Sequence, residues 1–326
     1  MSGSTSENDA AGGVVAGVGV RQTAHASATF SAKDMASASF NAFIDVPPAF
    51  LSTILPHFLL TPDCFMDSFQ ITFLGTGTSV GIPMIGCDCA TCTSSDPRDQ
   101  RSRSSILVRT PEGTYVVDTG PDFRTQCLRE KLKELDAALY THPHMDHLTG
   151  FDDLRRFCVP EDAVMPIYGT PACLQVIRRM YEHAFNGENR YRGYLKPEEH
   201  PITGPFTLGE TLITPLPVKH GKVETVGYLF SRGGRKLCAY LSDMKEPLEG
   251  TVELMRGVDT LIVDALRHTP HPTHMNFEEA LAFRTAVGPR QTWFTHIQCE
   301  ILHAPEEQKL PEDVRIAYDG LKLSWP

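Results

Sequence analysis

The chain has 326 residues, of which 41% are hydrophobic, and its formal net charge at pH 7 is -10. This length and apolar content allow one large domain of about 250 residues with a complete core, together with additional sequence. The acidic charge argues against a general binder of polyanions, although a metal centre can attract a small phosphate by concentrating positive charge locally. No run of about 18 apolar residues occurs, so the sequence predicts no membrane span.

Residues 1–65 differ in composition from the rest of the chain. Ser, Ala, Gly and Val dominate the first forty residues, which carry little charge and show no sustained apolar period. It also lacks the basic start of a secretory signal, and its single arginine makes an organellar transit peptide the weaker alternative. We predict a disordered leader over 1–65, or the product of a start codon assigned too early, and one folded domain over 66–326.

The folded part is predicted to open with a strand at 70–74, which leads into a Gly-rich segment at 73–83. This segment lacks the Lys and the glycine spacing of a nucleotide-binding phosphate loop. We therefore interpret it as a loop whose backbone passes close to a functional centre.

Three of the nine cysteines lie close together, because Cys87, Cys89 and Cys92 have C-x-C-x2-C spacing. Three thiols at this spacing are close to a complete tetrahedral zinc site, which needs a fourth ligand from another part of the chain. An odd number of cysteines with such a cluster indicates metal ligation in a reducing compartment more than a disulfide framework, so we expect a cytoplasmic protein. Four isolated cysteines are interpreted as small buried hydrophobic residues: Cys127, Cys158, Cys173 and Cys238.

A metal-binding cluster is predicted at residues 141–147, which read T-H-P-H-M-D-H. Neutral imidazole and carboxylate are the usual nitrogen and oxygen ligands of zinc-like divalent ions. The cluster follows a short apolar run at 137–140, predicted to be a buried strand, and α/β sheets place their chemistry at the carboxyl ends of strands. His142 and His144 can point the same way while the carboxylate and the last histidine face a second ion, so the spacing indicates two metals.

Further polar residues follow buried-looking runs, as expected where strand ends deliver side chains to one edge of a sheet. These residues are Asp118, His220, Asp243, Asp264 and His296. Asp118 ends the second strand of a hairpin predicted over 104–118, and His274 stands before a helix predicted at 277–286. The chain is predicted to close with a terminal hairpin or strand pair over 314–325.

The H-x-H-x-D-H pattern at 142–147, supported by G-T-G at 75–77 and by the strand-end series, resembles the metallo-β-lactamase-fold hydrolases from about residue 69 to the end of the chain. Within that superfamily the Cys cluster makes the sequence most similar to the phosphoribosyl 1,2-cyclic phosphate phosphodiesterases of phosphonate (carbon-phosphorus lyase) metabolism. The resemblance implies an α/β fold, the αββα sandwich, in which two central mixed sheets are flanked by helices and the metals lie at one edge.

The resemblance also implies a two-metal site, in which one ion has three histidine ligands, the other has a carboxylate and two histidines, and an aspartate bridges both. The first set is His142, His144 and His220, the second is Asp146, His147 and His296, and the bridge is Asp243. The ions would be Zn or Mn, because mixed imidazole and carboxylate sites accept either.

Three further assignments accompany this ligand set. His274 corresponds to the family's catalytic histidine that binds no metal and protonates the leaving alkoxide, and Asp146 is counted with it as catalytic. Asp118 corresponds to a carboxylate that orients a ligand histidine, and Asp264 is interpreted as a second orienting carboxylate. A histidine completes the thiol site in the family, but the same position here holds Cys299, which predicts a structural zinc bound by four thiolates.

The activity implied by the resemblance is hydrolysis of a small cyclic phosphodiester such as phosphoribosyl 1,2-cyclic phosphate. Two ions about 3.5 to 4 Å apart lower the pKa of a shared water and hold both oxygens of an in-line displacement. A carboxylate at Asp243 argues against the lactam-cleaving relatives, which usually carry Cys there. The alternatives are a tRNA 3′-processing endonuclease and a non-catalytic metal-binding scaffold. A nucleic-acid partner is disfavoured by the acidic charge, no membrane partner is expected, and a homodimer is left open.

Deletion of residues 2–65 tests the predicted leader. We expect the shortened chain to keep nearly the same melting temperature and phosphodiesterase turnover, because a disordered leader adds no packed contacts to the domain. Thermal unfolding and turnover of the two chains, measured side by side, provide the check. A clear decrease in either quantity would show that the segment belongs to the fold.

Overall fold

The computed structural model describes residues 68–160, 162–187 and 191–326. The leader predicted at 1–65 lies outside these residues and stays a prediction. Over the described ranges, no helix combines the length and the apolar character needed to cross a membrane.

Fifteen strands and seven α-helices build the described part of the chain. The strands are β1 (Phe69–Gly75), β2 (Ser105–Thr110), β3 (Gly113–Val117), β4 (Ala137–Leu139), β5 (Met165–Gly169), β6 (Pro197–Pro201), β7 (Phe206–Leu208), β8 (Thr211–His220), β9 (Val223–Arg232), β10 (Arg235–Leu241), β11 (Glu246–Pro247), β12 (Thr260–Asp264), β13 (Gln291–Thr295), β14 (Val314–Ile316) and β15 (Lys322–Trp325). The helices are α1 (Phe123–Arg129), α2 (Met145–Leu148), α3 (Pro171–Met180), α4 (Glu182–Phe185), α5 (Thr251–Met255), α6 (Phe277–Val287) and α7 (His303–Glu307), with short 3-10 helices at Pro97–Asp99 and Phe151–Phe157.

The strands form two mixed sheets. The first has the order β15-β1-β2-β3-β4-β5-β6, antiparallel from β15 to β3 and parallel from β3 to β6. The second has the order β11-β8-β9-β10-β12-β13-β14, antiparallel as far as β10 and parallel from β10 to β14, and β7 pairs with β8. Strands that run parallel to a neighbour place their carboxyl ends at the same edge, which prepares that edge for a site.

Alternation of side chains along the strands creates the layers of the fold. In β10, Cys238 and Tyr240 lie in a core that contains residues of both sheets, whereas Ala239 and Leu241 pack in an outer cluster with Phe277 of α6. A third cluster joins the outer face of the first sheet to residues of α1 and α3. This order of helices, sheet, sheet and helices confirms the predicted αββα sandwich.

The two strands at the end of the chain do not pair with each other, so the predicted terminal strand pair is wrong. β14 runs parallel to β13 in the second sheet, and β15 runs antiparallel to β1 in the first. Between the two strands, the largely buried carboxylate of Asp319 accepts hydrogen bonds from the Ser102 backbone at 2.9 Å and from the Thr76 hydroxyl at 2.8 Å. These distant partners hold the connection where the chain passes from one sheet to the other.

Candidate metal centre

Loops at one edge of the sandwich carry all seven predicted metal ligands. The loop after β4 and helix α2 carry the His cluster, β8 ends at the third histidine, and two further ligands follow β10 and β13. The structure brings these residues into two adjacent groups, each with ligand atoms within 4.8 Å of one another: His142, His144 and His220 in the first, and Asp146, His147, Asp243 and His296 in the second. The grouping matches the predicted division between two ions, while the roles of the residues as ligands stay a prediction.

Three imidazole rings converge in the first group. The Nδ1 atom of His144 lies 2.9 Å from Nε2 of His142 and 3.2 Å from Nε2 of His220. Burial lowers the pKa of His142 well below its ordinary value, and it also lowers the pKa of His220. A lowered pKa favours the neutral form of His142 and His220, and neutral imidazole is the form that binds a metal.

The second group is centred on a buried carboxylate. Nε2 of His147 lies 3.2 Å from Oδ1 of Asp243 and 3.2 Å from Oδ2 of Asp146, and Nε2 of His296 lies 3.4 Å from Oδ2 of Asp243. The same Oδ2 atom is 3.8 Å from Nε2 of His220 and 4.0 Å from Nε2 of His142 in the first group. Asp243 thus lies between the two groups, where a bridging ligand is required.

Unpaired buried atoms show that these residues fit divalent cations. Nε2 of His147, Oδ1 of Asp243 and both ring nitrogens of His296 have no hydrogen-bond partner among the described residues. Leaving a buried polar atom unsatisfied costs about 1 to 3 kcal/mol, so several together at one place call for another partner. Their chemistry, imidazole nitrogen and carboxylate oxygen, is that of zinc and manganese ligands.

A buried carboxylate fixes the orientation of His147. Asp118, fully buried, accepts hydrogen bonds from the backbone and hydroxyl of Thr141, both at 2.8 Å, and from Nδ1 of His147 at 2.7 Å. With its Nδ1 proton held by Asp118, His147 presents Nε2 to the second group. Burial disfavours a charge on His147, but Asp243, Asp118 and Asp146 together outweigh burial and raise its pKa well above the ordinary value.

A second carboxylate and imidazole pair lies beside the metal ligands. Nδ1 of His274 donates to Oδ2 of Asp264 at 2.6 Å, and the same oxygen accepts from the Met244 backbone at 3.0 Å. Burial raises the pKa of Asp264 to about 7; burial alone would lower the pKa of His274, but Asp264 outweighs it and raises that pKa to about 9. The His274 ring stacks on His296 at a centroid distance of 4.5 Å, so its free nitrogen lies next to the metal groups.

A cleft of about 480 Å³ opens onto these residues. His144, Asp146, His220, Asp243 and His274 line it, together with two residues that the sequence analysis did not single out, Ser79 and Lys222. Thr141 was missed as well, although its two hydrogen bonds position Asp118. Lys222 could have been identified from its position two residues after a predicted ligand histidine. No feature of the neighbouring sequence identified Ser79 or Thr141 as residues of the site.

The predicted thiol site is also assembled. Sulfur atoms of Cys87, Cys89, Cys92 and Cys299 lie within 4.8 Å of one another. The Cys92 backbone donates to Sγ of Cys89 and lowers the pKa of that thiol to about 7, whereas burial raises the pKa of Cys299 to about 12. A set of four thiols of this kind fits a tetrahedral zinc site.

As the sequence predicted, Cys158, Cys173 and Cys238 are fully buried in apolar surroundings, while Cys127 is only partly buried.

Hydrogen bonds connect the thiol site to the metal centre. The Ile297 backbone donates to the Thr76 carbonyl at 2.9 Å, and the Thr78 backbone donates to the Ile297 carbonyl at 3.1 Å. Ile297 adjoins the ligand His296 and lies two residues before Cys299. The Gly-rich loop and the loop after β13 therefore approach both sites together.

Comparison with known proteins assigns the chain to a family. Residues 114–297 match the beta-lactamase superfamily domain. The crystal structure of a new diphosphatase from the PhnP family shares 37% sequence identity and a TM-score of 0.73, covering 79% of this chain and 97% of that one. The chain belongs to the beta-lactamase superfamily and, within it, to the metallo-β-lactamase-fold hydrolases, a fold that implies binding of divalent metal.

Curated relatives match over part of their length. A protein from Porphyromonas gingivalis named octanoyltransferase is 34% identical over 257 residues, which is 76% of this chain and 50% of that protein. A ribonuclease Z from Bradyrhizobium diazoefficiens is 27% identical over 207 residues, 60% of this chain and 62% of the relative. The chain thus spans between half and two thirds of the length of these relatives.

Substitution of Cys299 tests the predicted zinc site. Cys299→Ala is expected to lose one zinc per chain on purification, because three thiolates leave the tetrahedral site incomplete. Cys299→His restores an alternative ligand and is expected to retain that zinc. Metal analysis counts the ions, and the absorption of a cobalt-substituted protein reports how many thiolates bind. Equal zinc content in wild type and Cys299→Ala would exclude Cys299 as a ligand.

Proposed function

We propose that this chain is a metal-dependent phosphodiesterase that hydrolyses a small cyclic phosphodiester, of which phosphoribosyl 1,2-cyclic phosphate is the leading example. The observation that carries the proposal is the position of Asp243, which lies between two groups of ligand atoms and lines the same cleft as His274. Two-metal sites with a shared carboxylate suit in-line displacement at phosphorus. The proposed location is the cytoplasm, in agreement with free cysteines throughout the described residues.

In this proposal, the two ligand groups would hold two divalent ions, Zn or Mn, and Asp243, which lies between the groups, would serve both. When bound, such ions activate water as a nucleophile and stabilise the charge on the phosphoryl oxygens. The protein's own contribution is to fix the ligands: Asp118 holds Nδ1 of His147, and the Thr273 carbonyl accepts a hydrogen bond from Nδ1 of His220 at 2.9 Å. His147 and His220 thereby direct their Nε2 atoms towards the ligand groups.

His274 is proposed as the general acid. Its Nδ1 atom is engaged by Asp264, so Nε2 is the nitrogen available to a substrate in the cleft. Water adds to phosphorus and loses a proton, the bond between phosphorus and one ring oxygen breaks, and that oxygen takes the proton from His274. The proton released by water restores His274 at the end of the cycle. The products are a phosphate monoester and a free hydroxyl, and Asp264 stabilises the imidazole through the transfer.

A structural zinc is proposed for the four cysteines of the thiol site. It would join the segment that follows the Gly-rich loop to the loop after β13, and the loop after β13 also exchanges backbone hydrogen bonds with the Gly-rich loop through Ile297. Structural zinc sites contribute directly to folding free energy, and this one would stabilise the loop that carries His296.

The second candidate is hydrolysis of a diphosphate, the activity named for the PhnP-family structure. Lys222 lines the cleft and has no ion pair among the described residues. Its ammonium group can therefore bind a second phosphate next to the reacting one. Cleavage of precursor tRNA, by analogy with ribonuclease Z, is less well supported, because the chain carries a net charge of -10 and RNA binding depends on neutralising many phosphates. A non-catalytic scaffold is disfavoured, since every ligand position is filled.

His274→Ala tests the general acid. We expect turnover of a cyclic ribose phosphate to fall about a hundredfold or more, the usual contribution of a positioned proton donor, while the metal content is unchanged. The matched control is His268→Ala, since His268 lies in the same connection between β12 and α6 but pairs with Glu306 at 3.1 Å. Steady-state kinetics and metal analysis on the same samples decide. Full turnover in His274→Ala would remove this residue from the mechanism, and loss of metal would reassign it as a ligand.

Lys222→Ala distinguishes the substrate classes. Loss of a charge-assisted hydrogen bond of about 1.5 to 3 kcal/mol is expected to lower kcat/KM about tenfold or more for substrates with a second phosphate. A plain aryl phosphodiester is expected to be unaffected. Lys219→Ala serves as control, because Lys219 lies three residues before Lys222, near the end of β8, and pairs with Glu246.

Cyclic ribose phosphate, a diphosphate and precursor tRNA are then compared as substrates of the wild type. Preference for the cyclic diester supports the leading proposal, and preference for the diphosphate supports the second candidate. Efficient cleavage of tRNA alone would contradict both.

A further inference from the structure

A second cleft lies on the helical layer outside the first sheet. It has a volume of about 790 Å³, larger than the metal cleft, and is formed mainly by α1, the turn after it, and the 3-10 helix Phe151–Phe157. The two clefts have no lining residue in common. We call this second cleft the basic groove, and its properties do not depend on the proposed phosphodiesterase activity.

The floor of the basic groove is apolar. Cys127, Leu132 and Phe157 pack against the hydrophobic cluster on the outside of the first sheet, so the core continues into the groove. Leu128, at the edge, is 61% exposed. A contiguous apolar surface inside a cleft is typical of a ligand site, because a chain gains nothing by leaving it open to water.

The rim of the basic groove is positively charged. The only carboxylate among the described residues that line the groove is that of Asp153. Five lining residues are cationic: Arg124, Lys131, Lys133, Arg155 and Arg156. Across the described ranges, only Arg155 among these cations forms an ion pair, with Asp152 at 3.3 Å on the surface. This concentration of positive charge stands out in a chain whose net charge is -10. Unpaired cations around an apolar floor favour a ligand with an anionic group.

One cationic residue of the rim, Lys131, has an unfavourable backbone conformation. Helix α1 ends with the Leu132 backbone donating to the Cys127 carbonyl at 2.9 Å and the Lys131 backbone donating to the Leu128 carbonyl at 3.2 Å. This pattern places Lys131 at the left-handed position of the cap, with φ of 51°, where glycine is the usual residue. The chain therefore retains a lysine at the rim where glycine would stabilise the fold.

We propose that the basic groove binds a small anionic amphiphile, with an aliphatic body on the floor and a phosphate-like or carboxylate head at the rim. Its volume is within the range of small-molecule sites, about 300 to 1,000 Å³. Stacked nucleobases are a poorer fit, because the described lining of the groove has two aromatic residues, of which Phe123 is fully buried and Phe157 packs against the cluster beneath the floor. A membrane surface is also a poorer fit, because the acidic chain as a whole is repelled by anionic lipid.

Calorimetric titration of the metal-loaded full chain with octanesulfonate, below its micelle concentration, tests the proposal. A sulfonate is a weak metal ligand, so binding of octanesulfonate at the metal centre is expected to be negligible. Octanesulfonate is expected to bind saturably at one site per chain. Methanesulfonate and octanol, which each lack one half of the amphiphile, are expected to bind at least about tenfold more weakly, since each loses a separate favourable contribution.

Substitutions locate the site. Lys131→Glu combined with Arg156→Glu is expected to weaken octanesulfonate binding about tenfold or more, whereas Arg179→Glu, a charge reversal on α3 away from the groove, is expected to have no effect. Lys131→Gly separates binding from folding, because it is expected to raise the melting temperature while weakening binding. A structural role for Lys131 would predict no loss of binding in that variant.

Three outcomes would overturn the proposal. The first is absence of saturable binding, or equal binding by wild type and the double variant. The second is tighter binding of a short oligonucleotide or an acidic peptide than of octanesulfonate, which would assign the groove to a macromolecular partner. The third is dimerisation in sedimentation experiments that the double variant abolishes, which would show that a second copy of the chain covers the groove.

Discussion

The buried carboxylate of Asp243 is the group on which the metal centre depends. It lies within 4.0 Å of imidazole nitrogens from both ligand groups, and it is almost fully buried. A buried charge is stable only when opposite charge or hydrogen bonds compensate it. Four histidines surround Asp243, but its Oδ1 atom has no hydrogen-bond partner among the described residues, so compensation is left to the divalent cation that the fold implies. The parallel strands β10, β12 and β13 bring Asp243, Asp264 and His296 to one edge.

Two residues of the metal centre have an unfavourable backbone conformation, which the surrounding fold maintains. Asp118 and His296 have φ of 65° and 59°, values that residues other than glycine adopt rarely. Such strain persists only where neighbouring structure determines the conformation. Thr141 fixes Asp118, and Gly120 allows α2 to approach, because a Cβ atom there would lie 2.1 Å from the Asp146 carbonyl. Packing at this edge thus fixes the positions of these side chains, although the strained backbone lowers the local stability of the fold.

Much of the sandwich and of the metal centre could be predicted from local sequence patterns. Apolar runs marked the strands, and a polar residue at the end of each run marked the candidate ligands that the structure brings together, because the two features are adjacent in sequence. The terminal strands could not be predicted in this way, since a hairpin and a crossover have the same local pattern and differ only through the distant partners of Asp319. Thr141, Ser79 and the basic groove depend likewise on segments far apart in the chain.

The thiol site and the metal centre are coupled through a short stretch of backbone. Ile297 exchanges hydrogen bonds with Thr76 and Thr78, His296 precedes it, and Cys299 follows two residues later. Displacement of the Cys299 segment would therefore move the only ligand that β13 supplies to the second group. Since His296 already occupies a strained conformation, it has little tendency to remain in place without that support. The thiol site is then best understood as part of the structure that positions the metal centre, although none of its sulfur atoms lines the cleft.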